Sequence, residues 1–230
     1  MLALAGATDC EAIRGGILAQ PVNTISSAAF LLVGAWILWR VTHVPGRRLE
    51  MTLFGLVTIA VGVGSAAYHG PRPDWAPWAH DTAIVMVLAL VVAIDAEELA
   101  ERRGPGLAAY VACLGSLGVL LWFVPSAQRA VFTVVGAAAA VLELACYRRG
   151  LRPRLSGGPA RPAIRAAVGV ALLGVISFFL GRRGSAACWP TSLLQFHALW
   201  HVCGALAIAV YVHVVVEPQV ASRPHRPPAP

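Results

Sequence analysis

Three histidines carry the chemistry this sequence suggests. His69 closes the stretch Gly62-Val63-Gly64-Ser65-Ala66-Ala67-Tyr68-His69, and His197 and His201 flank Ala198-Leu199-Trp200 in an apolar run. His197 and His201 are four apart, so on a helix they share one face with Cβ atoms about 5–6 Å apart, which suits two imidazoles on one metal ion. Ser65 and His69 repeat that spacing and set a hydroxyl one turn from the third imidazole. Asp81 follows after the short connection Gly70 to His80. Three neutral imidazoles with an open fourth position are the ligand set of a catalytic zinc site. Zinc held this way brings the pKa of its water to about 7 and polarises a carbonyl, while a nearby carboxylate acts as base or orients a ligand. The chemistry implied is hydrolysis of an acyl bond, with His69, His197 and His201 on Zn2+ and Asp81 and Ser65 as catalytic partners. Plainer roles compete residue by residue. An H-x-x-x-H pair also serves as an interhelical hydrogen-bonding pair, and a helix serine often returns its hydroxyl to a backbone carbonyl. His80 reads as an interfacial residue or, alternatively, as a group that supports a metal ligand from behind, and His43, His213 and His225 read as solvated.

The elements that must position these groups are membrane helices. Of the 230 residues, 58% are hydrophobic and only 13% are charged, and the apolar residues run in long blocks, as in a chain whose solvent is lipid. All the basic charge is arginine, so a Schiff-base lysine and a P-loop lysine are excluded. The arginines sit in pairs beside apolar blocks and are not interleaved with aromatics on a polar face, which argues against nucleic acid as a partner. Met1 to Thr8 has neither a basic n-region nor room for an h-region, so no signal peptide is read there. Runs of about 20 apolar residues predict an all-α bundle of seven transmembrane helices at 22–42, 51–69, 81–99, 106–124, 128–147, 163–181 and 192–216. One membrane domain over 1–217 is expected, followed by a Pro-rich disordered tail over 218–230. Arginines at 40, 47, 48, 102, 103, 148, 149, 152, 154, 161, 165, 223 and 226 would fall on one side, against 14, 72, 129, 182 and 183 on the other. The positive-inside rule then sets the N-terminus outside and the C-terminus in the cytoplasm. His69, His197 and His201 would share the outer half, so the active site would face the extracytoplasmic side. Ionisable groups inside spans cost at least about 2.5–3.5 kcal/mol each, which makes these residues functional candidates.

Taken together, several motifs resemble the alkaline ceramidase family, within the seven-helix membrane hydrolases that also include the adiponectin-type receptors. Cys10-Glu11 followed by Pro21-Val22-Asn23-Thr24-Ile25-Ser26 is similar to the family's C-E and W-N-T-x-S. Gly64-Ser65-x-x-Tyr68-His69 is similar to G-S-x-x-F-H, Asp81 to the span-three aspartate, and His197-Ala198-Leu199-Trp200-His201 to H-A-x-W-H. The resemblance implies zinc on His69, His197 and His201, with Asp81 and Ser65 assisting at the activated water and the oxyanion. It also implies a membrane lipid substrate, a long-chain N-acyl lipid whose amide is cleaved to a sphingoid base and a fatty acid. Eukaryotic members carry an acidic calcium segment near the N-terminus. Here Asp9 and Glu11 remain, but Ile13 and Gln20 stand where further oxygen donors would fall, so no calcium site is expected. Asp81 is followed by Thr82-Ala83-Ile84-Val85-Met86 without the Glu and Pro of the eukaryotic pattern, the mark of a distant member.

Two other functions fit parts of the pattern. A haem protein uses facing membrane histidines as axial ligands but has no use for Ser65 or Asp81. A receptor-like protein would keep the metal for structure alone. Among the five cysteines, no C-x-x-C spacing occurs, and three lie inside apolar blocks as small packing residues. Cys10 and Cys188 lie outside the spans on the extracytoplasmic side, where disulfides persist. A bridge between them is expected, closing a loop long enough to stabilise by about 4–5 kcal/mol in the chain-entropy model.

Overall fold

The architecture comes from a computed structural model that describes residues 6–43, 47–151 and 161–216, with backbone only for 161–165 and 167. The Pro-rich tail and the arginines at 152, 154, 223 and 226 lie outside the described residues. The described residues are all-helical, and their one β-bridge pairs Asp9 with Arg182. The helices are α1 (Pro21–Ser26), α2 (Ala28–Val41), α3 (Arg48–His69), α4 (Ala76–Leu99), α5 (Pro105–Phe123), α6 (Gln128–Arg148), α7 (Arg161–Leu180) and α8 (Phe196–Tyr211). A 3₁₀ turn, Pro125–Ala127, precedes α6, and a π turn, Val212–Val216, extends α8.

Five of these stretches are long and apolar enough to cross a bilayer: Pro21–Val41, Arg48–His69, Pro105–Phe123, Pro125–Arg148 and Phe196–Val216. Outward faces carry Phe132, Val141, Leu172, Ile176 and Phe179, all exposed. So many large apolar side chains exposed along long helices are tolerated in lipid and not in water, and the protein is a multi-pass membrane protein. The other two expected spans coincide with α4 and α7. In α4 the carboxylates Asp81, Asp95, Glu97 and Glu98 lie towards the ends, and the apolar described part of α7 is the shorter Val168–Leu180.

Sequence chemistry explains the boundaries nearest the histidines. The α4 helix begins before the apolar run does because Pro77 fits the first turn, where its missing N–H has no intrahelical partner to lose. His80 and Asp81 therefore stand inside a helix. The first span is broken at Ser27, which separates α1 from α2. The N-terminus of α1 is capped by a distant residue: the Glu11 carboxylate accepts from the Val22 and Asn23 N–H groups, both at 2.9 Å. A charged cap of this kind stabilises by about 1 kcal/mol and draws the N-terminal segment down onto the bundle.

Helix α4 packs against α3, α5 and α6, while α8 packs against α1, α2 and α7. Phe30, Ile37, Phe54, Leu90, Ile94 and Val212 fill the interior between α2, α3, α4 and the π turn. Two glycines set the approach of backbones at the histidine end. A Cβ on Gly64 of α3 would meet the His80 backbone nitrogen at 2.9 Å, and one on Gly181 would meet the His197 backbone nitrogen at 2.5 Å. Gly64→Ala is expected to push α4 from α3 and lower activity through displacement of His80, while leaving expression of a folded helical protein. Circular dichroism together with a turnover assay checks this, and unchanged turnover would contradict it.

Cys10 and Cys188 are joined by a disulfide spanning 178 residues of sequence. Cys113 is an exposed thiol, and Cys146 and Cys203 are buried thiols. The bridge fixes the N-terminal segment to the loop before α8. Backbone hydrogen bonds continue the join, from Cys10 N–H to Gly181 O at 2.8 Å and from Ala12 N–H to Pro190 O at 2.9 Å. Reduction is expected to loosen this end and lower activity before any buried metal is lost. Mass spectrometry of unreduced peptides should recover the linked pair, and both thiols free to alkylation would contradict it.

Candidate metal centre

The last turn of α3, the first two turns of α4 and the first two turns of α8 meet under the N-terminal segment. The three histidines singled out by spacing come together there. Ring centroids of His69, His197 and His201 lie 4.9, 5.2 and 4.7 Å apart pairwise, and all three residues are buried. His80 joins them from α4, with its ring 6.1 Å from that of His69. Two overlapping sets of possible ligand atoms lie within 4.8 Å of one another: His69 with His80 and His201, and Asp9 with His69 and His197.

Hydrogen bonds around the rings decide which nitrogens are free. Gln20 donates from Nε2 to Gly6 O and Glu11 O, so its Oε1 is the atom turned to His69 Nδ1 at 2.7 Å. An amide oxygen only accepts, hence His69 carries its proton on Nδ1 and leaves Nε2 bare. Ser26 donates to Asn23 O at 2.9 Å and so accepts from His201 Nδ1 at 2.8 Å, which bares His201 Nε2. The Asp81 carboxylate accepts from His80 Nδ1 at 2.7 Å, which bares His80 Nε2. His69 Nε2, His80 Nε2 and both nitrogens of His197 have no hydrogen-bond partner and are shut off from solvent. Each such orphan costs about 1–3 kcal/mol if nothing occupies the centre. Imidazoles held through Nδ1–H with Nε2 turned inwards are the pattern of metal-binding histidines, so the residues present fit a divalent ion.

Of the other expected residues, Ser65 is at the centre and Asp81 is set back. Ser65 Oγ lies 3.3 Å from His201 Nε2 and 2.9 Å from Ser27 Oγ, whose single hydrogen has the Asn23 carbonyl oxygen as an acceptor at 2.9 Å. Asp81 reaches the cluster through His80, and the carboxylate beside the predicted ligands is Asp9. Its oxygens lie 3.4 Å from His197 Nδ1, 3.8 Å from His69 Nδ1 and 3.4 Å from the Arg182 guanidinium. Burial pushes the Asp9 carboxyl up to about 6, with Arg182 opposing the rise. Gln20, read from sequence as a missing oxygen donor, is the residue that orients His69. Asn23 is fully buried with neither amide atom hydrogen-bonded. A sequence signal for Asp9 existed in its neighbour Cys10, since the bridge to Cys188 draws it to the start of α8.

No curated protein matches the chain. A family model for ceramidases matches residues 15–226, nearly the whole length. With Ser26 turned onto His201, Ser65 one turn from His69, and His197 facing both rings, the chain is a member of the ceramidase family, membrane hydrolases of lipid amides.

Proposed function

We propose that this protein is a zinc-dependent hydrolase working within the bilayer, which cleaves the amide of a long-chain, ceramide-like N-acyl lipid. The observation that carries the reading is the buried meeting of the His69, His197 and His201 rings, with His69 Nε2 and both His197 nitrogens without hydrogen-bond partners and His69 and His201 each held through Nδ1. His69, His197 and His201 would hold the ion. Zinc bound there supplies Lewis acidity to the acyl carbonyl and acidifies water at neutral pH.

The chain's own groups do the rest. Gln20 and Ser26 keep His69 and His201 in the tautomer that faces the centre. Asp81 holds the proton on His80 Nδ1, so His80 Nε2 is placed to take up a proton and the carboxylate offsets the charge that results. Ser65 Oγ, 3.3 Å from His201 Nε2, would turn its hydroxyl hydrogen to a developing oxyanion once that nitrogen is on the metal. Helices α3, α4 and α8 with the N-terminal segment cover the centre, and burial of the histidines excludes bulk water.

Seven spans with the N-terminus and the histidine end outside are the topology we infer. In support, the described arginines 40, 47, 48, 102, 103, 148 and 149 lie at the far end, where Arg47 pairs with Glu98 at 3.3 Å and Arg149 bonds Leu99 O at 3.3 Å, against 14, 72, 129, 182 and 183 at the histidine end. The Cys10–Cys188 disulfide at the histidine end fits an oxidising compartment.

A panel of N-acyl sphingoid bases and matched esters tests the activity. Equimolar free amine and fatty acid is the expected product pair, and release from esters alone would contradict the amidase reading. Ser65→Ala is expected to lower kcat with unchanged zinc, by an amount up to the 2.7–4 kcal/mol or so that an oxyanion donor supplies. An unaltered kcat would return Ser65 to a structural role.

A further inference from the structure

A cavity of about 730 Å³ opens beside the metal centre. Its wall includes Ala19, Gly70 and Asp81, which directly adjoin Gln20, His69 and His80 in the chain. Through Asp81, which accepts from His80 Nδ1, the cavity wall reaches the centre, and none of the predicted metal ligands lines it. Two arginines, Arg14 and Arg72, line it, and the edge-to-face pair Trp78 and Trp122, with ring centroids 5.4 Å apart, forms an apolar wall. Arg72 Nε is buried and has no hydrogen-bond partner. Its backbone has φ of 58°, a left-handed conformation that an arginine rarely adopts. The carboxylates lining the cavity are accounted for otherwise: Asp81 accepts from His80, and Asp74 is exposed at the rim.

We infer that this cavity is a headgroup site for a phosphate-bearing N-acyl lipid, with Arg72 as its main donor and Arg14 as the second cation at the mouth. The inference rests on the lipid-amidase reading and narrows its substrate class. A half-buried guanidinium whose Nε–H is shut off from solvent without an acceptor calls for an anionic oxygen, and the arginine fork matches phosphate with two parallel hydrogen bonds. The indole wall accepts the start of the lipid chains at the depth where tryptophan favours the membrane interface. An N-acyl lipid whose headgroup phosphate sits on Arg72 has its amide directed towards the neighbouring His80 and His69.

The test uses the full chain in phosphatidylcholine nanodiscs and a hydrolysis-resistant sulfonamide analogue of an N-acyl sphingoid base, with either a phosphate or a hydroxyl headgroup. Wild type should bind the phosphate form at least about tenfold more tightly than the hydroxyl form, the scale of a charge-assisted bidentate contact. Arg72→Gln should bring the ratio to near one, Arg72→Lys should keep part of it, and Arg14→Gln, at an exposed position, should reduce it. Equal binding by wild type, or a preference retained in both glutamine variants, would overturn the site. Displacement of the phosphate analogue by equal concentrations of inorganic phosphate or phosphatidylglycerol would mark a general anion or bulk-lipid site and would overturn the headgroup assignment. Turnover of the parent amides separates the two readings. Fatty acid released from the hydroxyl lipid without any binding preference defeats the headgroup site alone. A clear preference without release from either amide defeats the amidase reading, and with it the occupant's role as substrate.

Discussion

Alanine in place of His69, His197 or His201 is expected to abolish zinc retention and reduce hydrolysis to background. The three rings pack within 4.7–5.2 Å of each other, so deleting one removes a ligand and leaves a void that the other two cannot close. Loss of one of three protein ligands destroys the geometry on which catalytic zinc depends. The effect should exceed the 10–100-fold or so that follows from changing a ligand's hydrogen-bonding partner. Metal analysis of each purified variant checks it, alongside a thermal melt to show that the bundle still folds. Zinc at full occupancy in any two variants would remove these residues as ligands.

Asp81→Asn should behave differently: zinc stays largely bound while turnover falls about 10²-fold. The carboxylate is one residue removed from the centre and acts on His80 through a 2.7 Å hydrogen bond. The amide that replaces it no longer favours charge on the imidazole. Because Asp81 and His80 act as one unit, the His80→Ala, Asp81→Asn double variant should be scarcely worse than the weaker single variant, a strong departure from additivity. Additive losses, or turnover near wild type for Asp81→Asn, would take the pair out of the mechanism.

The His197 and His201 pair and the Ser65 and His69 pair were legible in the sequence because four residues make one helical turn, and each pair does meet on one face. The pair His80 and Asp81 was not legible by that rule. Consecutive helical residues point about 100° apart, so a search for facing side chains passes over an aspartate that turns back to its neighbour. Hydropathy also began the third span at Asp81, since Trp78-Ala79-His80-Asp81 scores as polar, whereas Pro77 lets the helix begin at Ala76. The break at Ser27 was hidden for the opposite reason, because apolar composition continues through it. Asp9 and Gln20 depended on contacts that no local pattern encodes: the disulfide to Cys188 brings Asp9 to His197, and the Glu11 cap on α1 fixes where Gln20 stands. Their residue types were visible, but their destinations were not.

The most direct test of zinc-dependent amide hydrolysis is a metal titration of turnover on the wild-type protein in nanodiscs. About one zinc per chain should copurify, with no Soret absorption. Chelation should stop fatty acid release from a long-chain N-acyl sphingoid base, and one equivalent of zinc should restore it. Amide hydrolysis that persists in fully zinc-free protein, or a haem spectrum in place of zinc, would contradict the account.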